Sequence, residues 1–258
     1  MWKNFLKADF YRAFSSMKIW LSSVGVFFAS VWTGKVSQQC PDVLSQFDYT
    51  KWTSFYILIF FFGSLAFSDS MLEDKEHGFL KQQILRCGRK AYVSGRSFSC
   101  FVSATFAISL GSVFYVLYLC QGHSTAITET NRLLCMGSFW GWFALNGMPA
   151  VFYLGTILIT GMLGGILSLA SMLLSMVAGS RLLASTLPVA GYYVFINWFI
   201  SDGSSEFLNF GSIFLLSSNA FESRLLSFLY ACGLLMVFYL LFKKAIAYQV
   251  EREVEGRV

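Results

Sequence analysis

Asp69–Arg96, DSMLEDKEHGFLKQQILRCGRKAYVSGR, carries ten charged residues in a 258-residue chain that has nineteen Lys and Arg and fourteen Asp and Glu in all. Apolar runs flank it on both sides, Trp52–Ser68 and Phe98–Cys120, each long enough to enter a bilayer. A polar stretch between two such runs has to sit in water, because charge in hydrocarbon is costly. The rest of the chain agrees. Hydrophobic residues make up 56% and charged residues 13%, against about 25% charged in an ordinary soluble domain. A soluble protein this apolar would expose large greasy patches. The runs lack the alternation of a membrane barrel, and a helix satisfies its backbone within one segment. The composition therefore predicts an all-α polytopic membrane protein, with one transmembrane domain over residues 1–258.

Working outward, charge-free runs at Ile19–Gly34, Trp52–Ser68, Phe98–Cys120, Leu182–Ser201 and Leu225–Phe242 each predict one span. Leu133–Ser180 is longer and could hold one span or two; Asn146, Gly147 and Pro149 interrupt it. One span there makes six in total and puts both termini on one side. Fifteen basic residues then lie inside, and Lys35, Lys51, Arg132 and Arg224 lie outside. Two spans would send the basic C-terminus outside, against the excess of Lys and Arg found in cytoplasmic loops. Six spans are expected, the fourth at about 150–177, in the inner (plasma) membrane with both termini cytoplasmic. Residues 133–148 become an outer interfacial or re-entrant segment, with Trp140 and Trp142 at headgroup level. Residues 243–258 form a cytoplasmic tail. Residues 1–18 place Trp2, Phe5, Leu6, Phe10, Ala13, Phe14 and Met17 at helical spacing, with most of the bases elsewhere around the helix. This is the pattern of an amphipathic helix lying on the membrane surface.

Signatures of chemistry are sparse. No phosphate-binding loop of the G-x-x-x-x-G-K-[ST] type and no G-x-S-x-G elbow occurs, so the chain is not expected to be an enzyme. His77 and His123 are predicted on opposite sides of the membrane, which leaves no two-histidine metal site. The span interiors hold essentially no ionisable residues, which argues against an ion-coupled carrier. Nucleic acid is not an expected partner; membrane lipid is. The six cysteines follow no metal or redox spacing, and Cys40, Cys120 and Cys135 are an odd number of candidates for an outer disulfide. Gly161, Gly165 and Ser168 lie in a small-residue run that suits close helix packing, either within the chain or between two copies. Tyr192, Tyr193 and Asn197 give the fifth span a polar-aromatic half that either lines a pathway or anchors the helix at the interface.

Within the opening stretch, Leu72–Ile84 reads as one helix with its acids first and its bases later, the order that complements the helix dipole. A plain loop obeying the positive-inside pattern need be neither this long nor this mixed in charge. A docking surface for a cytosolic partner accounts for both. Its candidate contacts are Glu73, Asp74, Lys75, Glu76, His77, Gly78, Phe79, Lys81 and Arg89.

The amphipathic N-terminal helix ending in KADFYRAF (Lys7–Phe14), the six spans, and the acidic element leading to Gly78 resemble the type-2 ABC (ATP-binding cassette) exporter permeases. The matching residues are Asp74, Glu76, Gly78, Phe79 and Lys81, then Gly88, Arg89, Lys90, Tyr92 and Arg96 before the third span. Phe79 stands where the family more often has Thr. Ser168–Pro188 resembles the turn between the family's fourth and fifth spans. The resemblance implies a permease that forms the translocation pathway for a hydrophobic or amphiphilic cargo such as a peptide, lantibiotic or drug. It implies a partner ATP-binding cassette subunit in the cytosol and a second permease, either a copy or a homologue. ATP and Mg would be bound by the ATP-binding subunit, and no cofactor by this chain. Residues 69–96 would be the coupling segment and residues 1–18 the connecting elbow. The alternatives are a non-ABC carrier or channel, or a membrane immunity or accessory protein without transport.

Overall fold

The structure is a computed structural model that describes residues 2–37, 40–125, 132, 135, 136, 139–201 and 223–256. Side chains are described from residue 5, and as far as 196 in the segment that ends at 201. The regular elements among these residues are helical, beside one isolated bridge between Asp42 and Ser124.

Helix α1 (Trp2–Ser15) leads into α2 (Met17–Val36) through Ser16, whose hydroxyl accepts from the Lys18 N–H at 3.2 Å. Such a cap satisfies one of the orphan donors at a helix start. Next comes α3 (Val43–Trp52), capped by Asp42, which accepts from the Ser45 N–H at 2.8 Å. A turn of 3-10 helix, Ser54–Tyr56, precedes α4 (Ile57–Ser64). Helices α5 (Ser70–Glu76), α6 (Phe79–Cys87) and α7 (Arg89–Gly122) follow closely. Then come α8 (Gly141–Leu145), α9 (Pro149–Ala178), α10 (Arg181–Ser201) and α11 (Arg224–Glu255).

Among the described residues, four helices are long and apolar enough to cross a membrane: α2, α7, α9 and α11. At 1.5 Å per residue, the 34 residues of α7 and 32 of α11 reach about 50 Å, well beyond a hydrocarbon core of about 30 Å. The expected second and fifth spans are shorter apolar helices, Ser54–Ser64 and Arg181–Ile196. The run Trp52–Ser68 is interrupted because its first residues end α3 and its last form a turn over Leu65–Asp69. The segment nevertheless retraces the length of α2. Gln46, on α3, donates to the Gly34 carbonyl near the end of α2 at 2.9 Å. Ser22 donates to the Phe62 carbonyl at 2.5 Å, and Lys18 at the start of α2 holds Asp69 at 2.7 Å.

The centre of the molecule is the α7–α9 pair, with α2 and α4 packed beside it, α10 and α11 against α9, and α1 along the first half of α7. Small residues set this closeness. A Cβ on Gly161 would come within 2.6 Å of the Ser109 hydroxyl, and one on Gly165 within 2.7 Å of Phe101 and Thr105. Lipid is as apolar as these side chains, so tight van der Waals contact rather than a hydrophobic drive has to hold such helices together. Buried hydroxyls return to their own helix: Ser30 donates to Val26, Thr33 to Ala29, and Thr156 to Phe152, which leaves no polar atom facing hydrocarbon unpaired at those positions.

Three local features go beyond the sequence reading. Residues 43–52, between the first two expected spans, are a helix, because Val43 and Phe47 bury against Tyr115, Leu119 and Ile157. Leu72–Ile84 is two helices, broken where Gly78 takes φ +71°, a left-handed conformation that costs L-residues with a side chain roughly 1–2 kcal/mol. The tail from 243 continues α11 to Glu255 without a break. In the segment expected to lie at the outer interface, Trp140 packs against Gly155 and Phe228, while Trp142 is exposed. Among the described residues no disulfide joins Cys40, Cys120 and Cys135.

Candidate charged hub

Helix α5 is only seven residues long, yet its charges reach five other helices. Asp69, immediately before it, accepts from Lys18 at the start of α2. Glu73 accepts from the same lysine and from Arg12 of α1, the latter at 2.9 Å. Asp74 accepts from Arg12 at 2.7 Å and from the Tyr92 hydroxyl of α7 at 2.8 Å, and pairs with Arg96. Glu76 pairs with Arg181, the first residue of α10. Lys75 donates to Glu253 near the end of α11 at 2.6 Å.

The innermost part of this network is buried. Asp74 and Arg96 are each 1% exposed and Asp9 is 4% exposed. Arg96 bridges Asp9 and Asp74 and also donates to Gln83 at 3.2 Å. Its guanidinium lies over the rings of Tyr92 and Phe67, at 5.6 and 5.7 Å. A planar fork of five donors is suited to holding two carboxylates at once. Burial drives the Asp9 carboxyl above its ordinary range against the pull of Arg96. Burial also acts to raise Glu73, but the hydrogen bonds and charges of Lys18 and Arg12 outweigh it and hold that carboxyl below its ordinary range.

The expected docking residues therefore divide. Glu73 and Asp74 face inward, into the molecule's own network. Lys75, Glu76 and Arg89 each hold an ion pair with a neighbouring helix, the partner of Arg89 being Glu251. His77, Gly78, Phe79 and Lys81 are exposed. His77 and Phe79 stack across the Gly78 turn at 6.2 Å, and Phe79 and Leu85 are the large apolar side chains of residues 69–96 left exposed. A cleft of about 400 Å³ runs beneath this turn, between Phe79, His77 and the Arg12–Glu73–Asp74 cluster.

The other candidates lie elsewhere. Gly161 and Gly165 face α7 of the same chain, and Ser168 is buried with its hydroxyl 3.1 Å from the Cys100 thiol. Tyr192 packs edge-on against Phe60, with ring centroids 5.6 Å apart, whereas Tyr193 is exposed. The side chain of Asn197 lies outside the described residues. Sequence reasoning missed Asp9, Arg12, Lys18, Arg181 and Glu253 as members of the hub. Asp9 carried a signal: it is the sole acid in the first eighteen residues, and an isolated acid in a basic surface helix invites the search for a buried cation. No protein-family model, curated protein or solved structure matches the chain.

Proposed function

We propose that this chain is the membrane-spanning permease subunit of an ATP-driven exporter, and that the charged end is its cytoplasmic end. Helix α5 and the exposed turn after it are the lever on which a separate ATP-binding subunit acts. The observation that carries this is the hub: one short helix is tied by charge to α1, α2, α7, α10 and α11. A push on such a helix moves the ends of most of the bundle together. The turn His77–Phe79 and the exposed Leu85 offer the apolar and polar contacts a cytosolic partner would take, while the carboxylates behind them stay paired.

The proposal includes six crossings. The 3-10 turn and α4 return along the length of α2, and α10 rises from the charged end at Arg181 to meet Phe60 at Tyr192. Both short helices would then cross with the help of their flanking turns. ATP and Mg would be held by the partner, and two permease chains, identical or homologous, would frame a pathway for a hydrophobic or amphiphilic cargo.

Co-purification tests this reading. Expressed with the stand-alone ATP-binding cassette subunit encoded nearest to it, the full chain is expected to form a stable complex, and Phe79→Ala with Leu85→Glu is expected to weaken it about ten-fold or more, as loss of a central interface contact does. Absence of a complex when both wild-type proteins are folded would overturn the proposal.

A further inference from the structure

Between α7 and α11 the charged end holds a second recess that the hub does not use. The two helices run antiparallel and meet at two clamps. At one, Arg89 pairs with Glu251; at the other, Phe101 meets Tyr239 edge-on with ring centroids 5.5 Å apart. The clamps are twelve residues apart on each helix, about 18 Å. Between them a cleft of about 540 Å³ opens, with Val93, Ser94 and Ala247 on its walls beside the larger Leu240 and Tyr248.

Lys90, Lys243 and Lys244 line this cleft, and none of the three forms an ion pair among the described residues. The carboxylate of Glu251 is already taken by Arg89. Three unpaired cations around one recess repel each other, and an anion relieves that repulsion. The depth of the cleft identifies the anion further. On the apolar side of the lysines, Met236, Val237, Leu240 and Leu241 are between 50% and 59% exposed. Apolar surface that open on a membrane helix faces lipid chains. The lysines thus stand where that surface ends, which is headgroup level.

We propose that the cleft between α7 and α11 binds the phosphate headgroup of an anionic phospholipid, with the acyl chains lying along the exposed apolar stripe of α11. A soluble anion would meet the lysines but leave the stripe unused; a phospholipid satisfies both. Basic recesses between spans at the cytoplasmic surface suit such headgroups, and an ammonium group meets a phosphate as a point charge without fixed geometry. The site requires that α7 and α11 cross the membrane, and does not depend on the chain being a permease.

Native mass spectrometry of the purified full-length chain tests it, after delipidation and exposure to equal amounts of phosphatidylglycerol and phosphatidylcholine. The wild-type chain is expected to retain phosphatidylglycerol preferentially. Lys243→Gln and Lys244→Gln should each lower that retention about five-fold, the change expected for one cation near an anionic surface. Ala247→Trp keeps every charge but fills the cleft, and should abolish the preference. Millimolar inorganic phosphate should leave the lipid in place. Equal retention of both lipids by the wild type overturns the proposal, as does an unchanged preference in folded Ala247→Trp or displacement by phosphate. If Ala247→Trp does not fold, the lysine variants decide, and an unchanged preference in both overturns the proposal.

Discussion

Asp74 gives both its oxygens to the network: one accepts from Arg12, the other from Tyr92 and Arg96. Removing a carboxylate with these partners strands a buried cation. Asp74→Ala is therefore expected to destabilise the protein by about 3 kcal/mol, the lower end for a broken buried pair because Asp9 still faces Arg96. Tyr92→Phe removes one donor and leaves the charges paired, at a cost of about 1–2 kcal/mol. Thermal unfolding of the purified protein in detergent measures both; equal, negligible shifts for the two variants would refute the buried network. The sequence marked Asp74 as important but pointed it the wrong way. It was read as one of the contacts of an outward docking surface, whereas burial is decided by what packs against α5. The residues opposite it, Arg12 and Arg96, are 62 and 22 positions away.

Among the elements, α5 and α6 are decoupled by Gly78, whose left-handed backbone lets the chain turn sharply between them. That break was legible as punctuation but was read as an interruption within one helix. The shortness of α5 has a consequence: with few hydrogen bonds of its own, it is held by its ion pairs and by the burial of Met71 and Leu72. The Glu76–Arg181 pair is half-exposed, so it adds little to global stability. It is nonetheless a direct tie between α5 and α10. Glu76→Arg is expected to speed amide exchange across residues 70–76 by up to about five-fold, and the swapped pair Glu76→Arg with Arg181→Glu should slow it again. High salt should erase the difference, since the pair is screened. Exchange that rises equally in the single and swapped variants would show that the tie does not exist.

For the whole molecule, the hub and the lysine cleft lie together at one end of the bundle, and α3, α8 and the starts of α9 and α11 meet at the other. Cys87 lies at the charged end and the exposed Cys120 near the far end of α7. In single-cysteine variants within intact cells, a membrane-impermeant thiol reagent is expected to label Cys120 from outside, and Cys87 only after permeabilisation. Labelling of Cys87 in intact cells would invert the proposed orientation. The sequence by itself determined that the protein is helical and made for a membrane, and that its largest charged segment lies between apolar runs. Composition and run length carry that information locally, because a residue's transfer cost from water to lipid hardly depends on distant parts of the chain. The tertiary structure alone decided that Trp52–Ser68 breaks into a short helix and turns, that the tail belongs to α11, and that the charges of α5 point home. Lys18 and Asp69 lie 51 positions apart, and only the packing of α2 along the returning segment brings an ammonium to that carboxylate.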